Sequence, residues 1–162
     1  MKYKILISAF LIISLILCGC NLSNQQTTSK FYYCYAEIEY GLTDKIIHYE
    51  QRSKSPDPLD YELILSSYLE GPKSSDLKSP FPAGTALVSF SVDQQIASIV
   101  LNNVFSDLSG IELTLACACL SLTVEDISGC AQVQISAQNT LLDNKQIITI
   151  NTNDLKLYDN DI

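Results

Sequence analysis

Hydrophobic positions along this chain change period several times, and each change marks an element. Residues 5–17, ILISAFLIISLIL, are apolar on every side, whereas residues 21–30, NLSNQQTTSK, hold almost nothing to bury. Residues 31–39 alternate roughly, Tyr33 and Tyr35 against Cys34, Ala36 and Ile38, and predict a first strand. A shorter strand over residues 45–52, with Ile46, Ile47 and Tyr49, is expected to pair with it as a hairpin. The period then becomes helical. Leu59, Leu63, Ile64, Tyr68 and Leu69, flanked by Tyr61 and Leu65, form one broad face, with Asp57 as cap and Pro58 in the first turn. Gly71 and Pro72 stop that helix, because glycine accepts the left-handed conformation and proline cannot continue.

After a loop over residues 73–82, Ala86, Val88, Phe90 and Val92 alternate with Leu87, Ser89 and Ser91, predicting a strand with one face buried. Asp93, Gln94 and Gln95 turn the chain into a partner strand over residues 96–101. A second helix opens at Ser109, where Ser109 and Glu112 have capping-box spacing and Leu108 and Leu113 that of a hydrophobic staple. Its body, ELTLACACLSLTVED, is apolar on several faces. Ile111, Leu115, Cys119 and Leu122 share one stripe, while Leu113, Leu120 and Val124 lie elsewhere. Such a helix is either enclosed by its own fold or covers a partner, which makes Leu113, Leu120 and Val124 a candidate docking patch. Gly129 ends it, and strands follow at Val133 and Ile135 and at Ile147, Ile148 and Ile150.

The N-terminus changes the picture from fold to address. Lys2 and Lys4 precede the apolar run, and Leu17-Cys18-Gly19-Cys20 closes it. The run is short for a spanning helix, which needs about 20 residues, and it leads straight into a polar segment. The closing residues resemble the lipobox of bacterial lipoproteins, with an aliphatic residue, a small residue and the cysteine that carries the lipid. The expected organisation is a signal peptide over 1–19, a lipidated tether over 20–30 with Cys20 as the attachment site, a folded domain over 31–158, and a frayed tail over 159–162. An uncleaved signal anchor is the alternative, and either places the domain outside the cytoplasm.

Charge narrows the partners. The chain carries 18 acidic and 10 basic residues, a net −8, and two of the basic ones are Lys2 and Lys4. With Arg52 the only arginine, a nucleic-acid partner is excluded, since phosphate binding needs clustered cations. The membrane is reached through lipid and not through charge.

Leu69-Glu70-Gly71-Pro72, about ten residues of loop, then Pro82-Ala83-Gly84-Thr85-Ala86-Leu87 resembles the GerMN domain of sporulation and spore-germination proteins. Arg52 before the first helix, Phe105, Leu122-Thr123, Gly129 and Val133 extend the resemblance over residues 31–155. It departs at Gln95, where many members have glycine. The resemblance implies an α+β fold of the ring-building type, with two helices on one face of a largely antiparallel sheet. It also implies a non-catalytic extracytoplasmic module, in sporulation or germination.

Residues with chemical potential are few. Cys117 and Cys119 point about 200° apart on a helix and can neither bond each other nor share an ion. Cys34, Cys117, Cys119 and Cys130 are therefore small buried hydrophobes, or one of the helix pair bonds Cys34 or Cys130 in a disulfide; metal binding is disfavoured with a single histidine in the chain. His48 stands near Glu50 without a nucleophile, and a surface role is expected of it. No catalytic residue, metal site or cofactor is expected. The predicted function is a lipid-anchored, non-enzymatic interaction or scaffold module that contacts an envelope protein or a second copy of itself. A small-molecule or glycan-binding lipoprotein and an envelope hydrolase are the alternatives, and both require a deep pocket.

Overall fold

A computed structural model of the chain describes residues 28–36, 46–53 and 60–155. The apolar run, Cys20, most of the polar segment, Asp57, Pro58 and the C-terminal tail lie outside the described residues. Strands β1 (Thr28–Tyr35) and β2 (Ile47–Ser53) pair antiparallel from Thr28↔Ser53 to Cys34↔Ile47, the expected hairpin. The segment read as a tether gives its last residues to the fold. Thr28 to Lys30 are strand, because Ser29 is buried and the Lys30 amide donates to Asp126 Oδ2 at 2.9 Å.

Helix α1 (Tyr61–Leu69) follows, and inside the predicted loop a two-residue strand, β3 (Leu77–Lys78), pairs with the end of β1. Then come β4 (Leu87–Asp93), β5 (Ile96–Leu101), a 3-10 turn (Asn103–Asp107), helix α2 (Gly110–Ser128), β6 (Gln132–Ala137) and β7 (Ile148–Asn151). The class is α+β with mostly antiparallel strands, as expected. The strands fall into two sheets, ordered β2-β1-β3 and β4-β5-β6-β7, where the sequence suggested one. The exception to antiparallel pairing is β5 with β6, which run parallel because α2 forms the crossover between them.

Two sheets need something to join them, and α2 is that element. Residues 116–124 are buried without interruption. One side of the helix meets the apolar face of the four-stranded sheet, where Ala97, Ile99, Val133 and Ile135 are fully buried. The other side runs along β1, where the Tyr32 amide donates to Thr123 Oγ1 at 2.9 Å beside the Lys30 to Asp126 bond. β3 pairs with β1 only at Cys34 and Tyr35, so the rest of that strand edge would otherwise leave its amides unpaired. Leu113, Leu120 and Val124, 4%, 1% and 0% exposed, are core, and the docking patch assigned to them does not exist on this surface. An apolar stripe in sequence cannot distinguish a partner from a second sheet of the same chain.

Helix ends follow the sequence with one difference. Gly71 at φ +110° and Gly129 at φ +77° end α1 and α2, their amides donating to Tyr68 O at 3.1 Å and Glu125 O at 2.7 Å. Ser109 is the N-cap of α2 as predicted, but its side chain makes no capping bond. Gly110 adopts φ +57° at the entrance, which turns the chain away from the geometry a capping box requires. The apolar stripes are also narrower than the sequence suggests. Leu65 and Tyr68 alone are buried on α1, while Leu63 and Ile111 are 71% and 72% exposed.

β4 is an edge strand, and its register shifts between Leu87 and Ser89. The expected buried face is accordingly reduced to Phe90, against which Tyr61 packs edge-on at 5.7 Å, while Val88 and Val92 are nearly half exposed. Gln94 (φ +46°) and Gln95 (φ +65°) make the β4–β5 turn with two left-handed residues, a conformation that costs non-glycine residues about 1 kcal/mol each. Gln95→Gly is expected to raise stability by about 1 kcal/mol, read as a higher urea midpoint at unchanged slope.

Candidate functional site

The densest polar arrangement lies where β1, β2 and the end of α1 meet. β2 delivers Arg52 and Glu50 to the same side of the strand, two residues apart. Arg52 Nε donates to Glu50 Oε1 at 2.7 Å, Nη2 to Tyr33 Oη at 2.8 Å and to Gly71 O at 2.7 Å, and Nη1 to Ser67 O at 3.2 Å. Its guanidinium lies 4.8 Å from the centre of the Phe31 ring. A cation on the Ser67 carbonyl in the last turn of α1 is favoured by the helix dipole, and the left-handed Gly71 just past the helix turns its own carbonyl to the same guanidinium. Glu50 in turn accepts from the Lys73 and Ser74 amides at 3.0 Å, which holds the loop after the helix. Tyr33 Oη donates to Tyr68 O at 2.9 Å, and Tyr68 Oη donates to Tyr32 O at 2.7 Å.

Every group in this node has a partner, so it clamps structure and offers no free acid or base. Burial pushes both Tyr33 and Tyr68 hydroxyls well up, away from any titration near neutrality. Burial would raise Glu50 as well, but the Ser74 amide, the Arg52 guanidinium and the Lys73 amide outweigh it and lower its pKa. A carboxyl depressed by folding adds stability above its unfolded value and loses it as pH falls through the folded one. The domain should thus weaken on acidification below about pH 4.5, the ordinary value for this group. Glu50→Gln should be less stable at neutral pH and show a shallower acid loss in unfolding curves recorded against pH.

The loop before β4 is held by a second set of bonds. Thr85 Oγ1 donates to Pro82 O at 2.8 Å, closing the Pro-Ala-Gly-Thr turn, in which Gly84 has φ +89°. Asn102 at the end of β5 donates from Nδ2 to Gly84 O at 2.8 Å, and its Oδ1 accepts from the Ala86 amide at 3.2 Å. Between this loop and α1 lies an open groove of about 610 Å³ whose only ionisable lining residue is Glu70.

The four-stranded sheet turns its other face to solvent. Register places Ser89, Ser91 and Asp93 of β4 beside Val100, Ser98 and Ile96 of β5. Gln132, Gln134 and Ser136 of β6, then Asn151 and Thr149 of β7, continue the same face. One carboxylate, Asp93 at the corner, stands on a surface otherwise made of hydroxyls, amides and two aliphatic side chains.

The profile of the family described as Germane, sporulation and spore germination, matches residues 31–143. This chain belongs to that family. No curated protein matches it. Among solved structures, the first GerMN domain of the sporulation protein GerM from Bacillus subtilis is similar with a TM-score of 0.56 at 12% identity, over 74% of this chain and 91% of that one. A lipoprotein candidate from Clostridium perfringens gives 0.51 at 17% identity, over 79% and 89%. The tandem GerMN domains of GerM give 0.54 at 16% identity, over 83% of this chain and 48% of theirs.

In this GerMN fold the segments around Gly71 and from Pro82 to Thr85 are architectural. Arg52, Gly71 and Glu50 fix the helix end, and Pro82 to Thr85 with Asn102 fix the entry to β4. Asn102 was missed in the sequence, where an asparagine after a strand carries no signal of its own. His48 stacks between Tyr35 and Tyr49 at 5.1 and 5.3 Å. Cys34, Cys117, Cys119 and Cys130 are buried thiols. Cys34 and Cys119 come together, whereas Cys117 faces a different part of the core. No group of three metal-ligating side chains occurs among the described residues. Cys20 lies outside them.

Proposed function

We propose that this GerMN protein is a lipid-anchored, non-enzymatic interaction module on the outer side of a bacterial cytoplasmic membrane, working in sporulation or spore germination by self-association. The observation that carries the reading is the open face of the four-stranded sheet, where Asp93 at the corner is the single charged group. In a chain of net charge −8, two copies meet with least repulsion where carboxylates are sparsest. Ser98, Val100, Gln134 and Ser136 at its centre supply hydrogen-bonding groups and aliphatic area side by side, which suits a second sheet of the same kind.

A photo-crosslinking residue at Ser98 in the membrane-bound protein tests it. A product of two copies is expected, and a product with a different protein would replace self-association by a hetero-complex. The anchor is tested separately, by mass spectrometry of the membrane fraction. The expected mature chain begins at acylated Cys20, and Cys20→Ala should abolish processing; a chain retaining residues 1–19 would remove the anchor from the proposal.

A further inference from the structure

We infer that Cys34 of β1 and Cys119 of α2 are a disulfide-forming pair, which staples the three-stranded sheet to the central helix when the chain folds in an oxidising compartment. The expected occurrence in cells rests on the envelope placement proposed above; the pairing itself rests on geometry. Helix α2 lies along β1 in a fixed register, with Asp126 opposite Lys30 and Thr123 opposite Tyr32, each joined by a 2.9 Å hydrogen bond. The next step along the strand, two residues and about 6.6–6.8 Å, reaches Cys34. The matching step along the helix, four residues and about 6 Å, reaches Cys119. The two side chains interact with each other at that third rung.

In the folded chain the interaction between the two thiols, with Lys78 nearby, lowers the pKa of Cys34 against the effect of burial, and the same interaction together with burial raises that of Cys119. The oxidant is a disulfide of the glutathione or dithiol-oxidase class. The thiolate of one cysteine attacks one of its sulfurs, forming a mixed disulfide and releasing one thiolate. The other cysteine then loses its proton and attacks the protein sulfur of that mixed disulfide, forming the protein disulfide and releasing the second thiolate. Two protein thiols are oxidised by two electrons, and one oxidant disulfide is reduced to two thiols. Cys34 and Cys119 are 4% and 0% exposed, so the bond forms before the joint between helix and sheet closes. Cys117 lacks this arrangement, and burial alone lifts its thiol to about 12.

The test is to unfold the full chain with reductant, refold it with oxidised and reduced glutathione, alkylate the remaining thiols and map the peptides. A peptide linking Cys34 to Cys119, lighter by two hydrogen atoms than the separate thiols, is expected, with Cys117 and Cys130 alkylated. Reduction should lower the melting temperature of the linked protein by on the order of 10 °C, and Cys34→Ser should abolish both link and reductant sensitivity. Alkylation of Cys34 and Cys119 after refolding, or a link through Cys117 or Cys130, would overturn the pairing. A pair that links on refolding but is recovered as free thiols from acid-quenched cells would support the pairing and reject the envelope placement.

Discussion

Arg52→Ala is expected to destabilise the domain by about 3–5 kcal/mol, the range for removing one partner of a buried ion pair. The Arg52 and Glu50 side chains are 9% and 12% exposed, so the remaining carboxylate would stay where water cannot replace the guanidinium. The carbonyls of Ser67 and Gly71 and the Tyr33 hydroxyl would each lose a donor at the same time. Domains of this size are stable by about 5–15 kcal/mol, so a large part of the total would go. Arg52→Lys should recover only a fraction, because a single ammonium cannot reach acceptors spread across a planar fork. Equilibrium urea unfolding checks both, and a loss under about 1 kcal/mol for Arg52→Ala would show that the node is ornament.

Leu120→Glu is expected to abolish folding. At 1% exposure on the enclosed part of α2, the carboxylate would have neither water nor a cation, a cost beyond what the domain can absorb. Leu120→Ala should remain folded with about 2–5 kcal/mol lost. Far-ultraviolet circular dichroism and thermal melts distinguish these outcomes. A well-folded Leu120→Glu protein that had merely lost a partner would restore α2 as the docking surface.

The order of elements, apart from the two-residue β3, was legible in the sequence because each depends on local rules. Gly71 and Gly129 stop helices at positive φ, and the strands alternate where one face is buried. What was not legible depends on partners remote in sequence. The capping box at Ser109 failed because Gly110 sets the entry angle, and Leu63 is exposed although its spacing fits the apolar stripe. The division into two sheets follows from α2 occupying the edge of β1, a contact between residues 91 and 96 positions apart that no periodicity encodes. Arg52 could be matched to a family position, but its role emerges only when four acceptors from three segments converge on it.

The central claim is that the open face of the four-stranded sheet joins copies of the chain. Sedimentation equilibrium of the folded protein, compared with a Ser98→Glu variant, tests it most directly, since Ser98 is partly exposed on its strand and tolerates a charge without entering the core. The account predicts concentration-dependent association of the parent, and a variant that is monomeric with an unchanged melting temperature. A parent that stays monomeric throughout, or a variant that associates as the parent does, would contradict it.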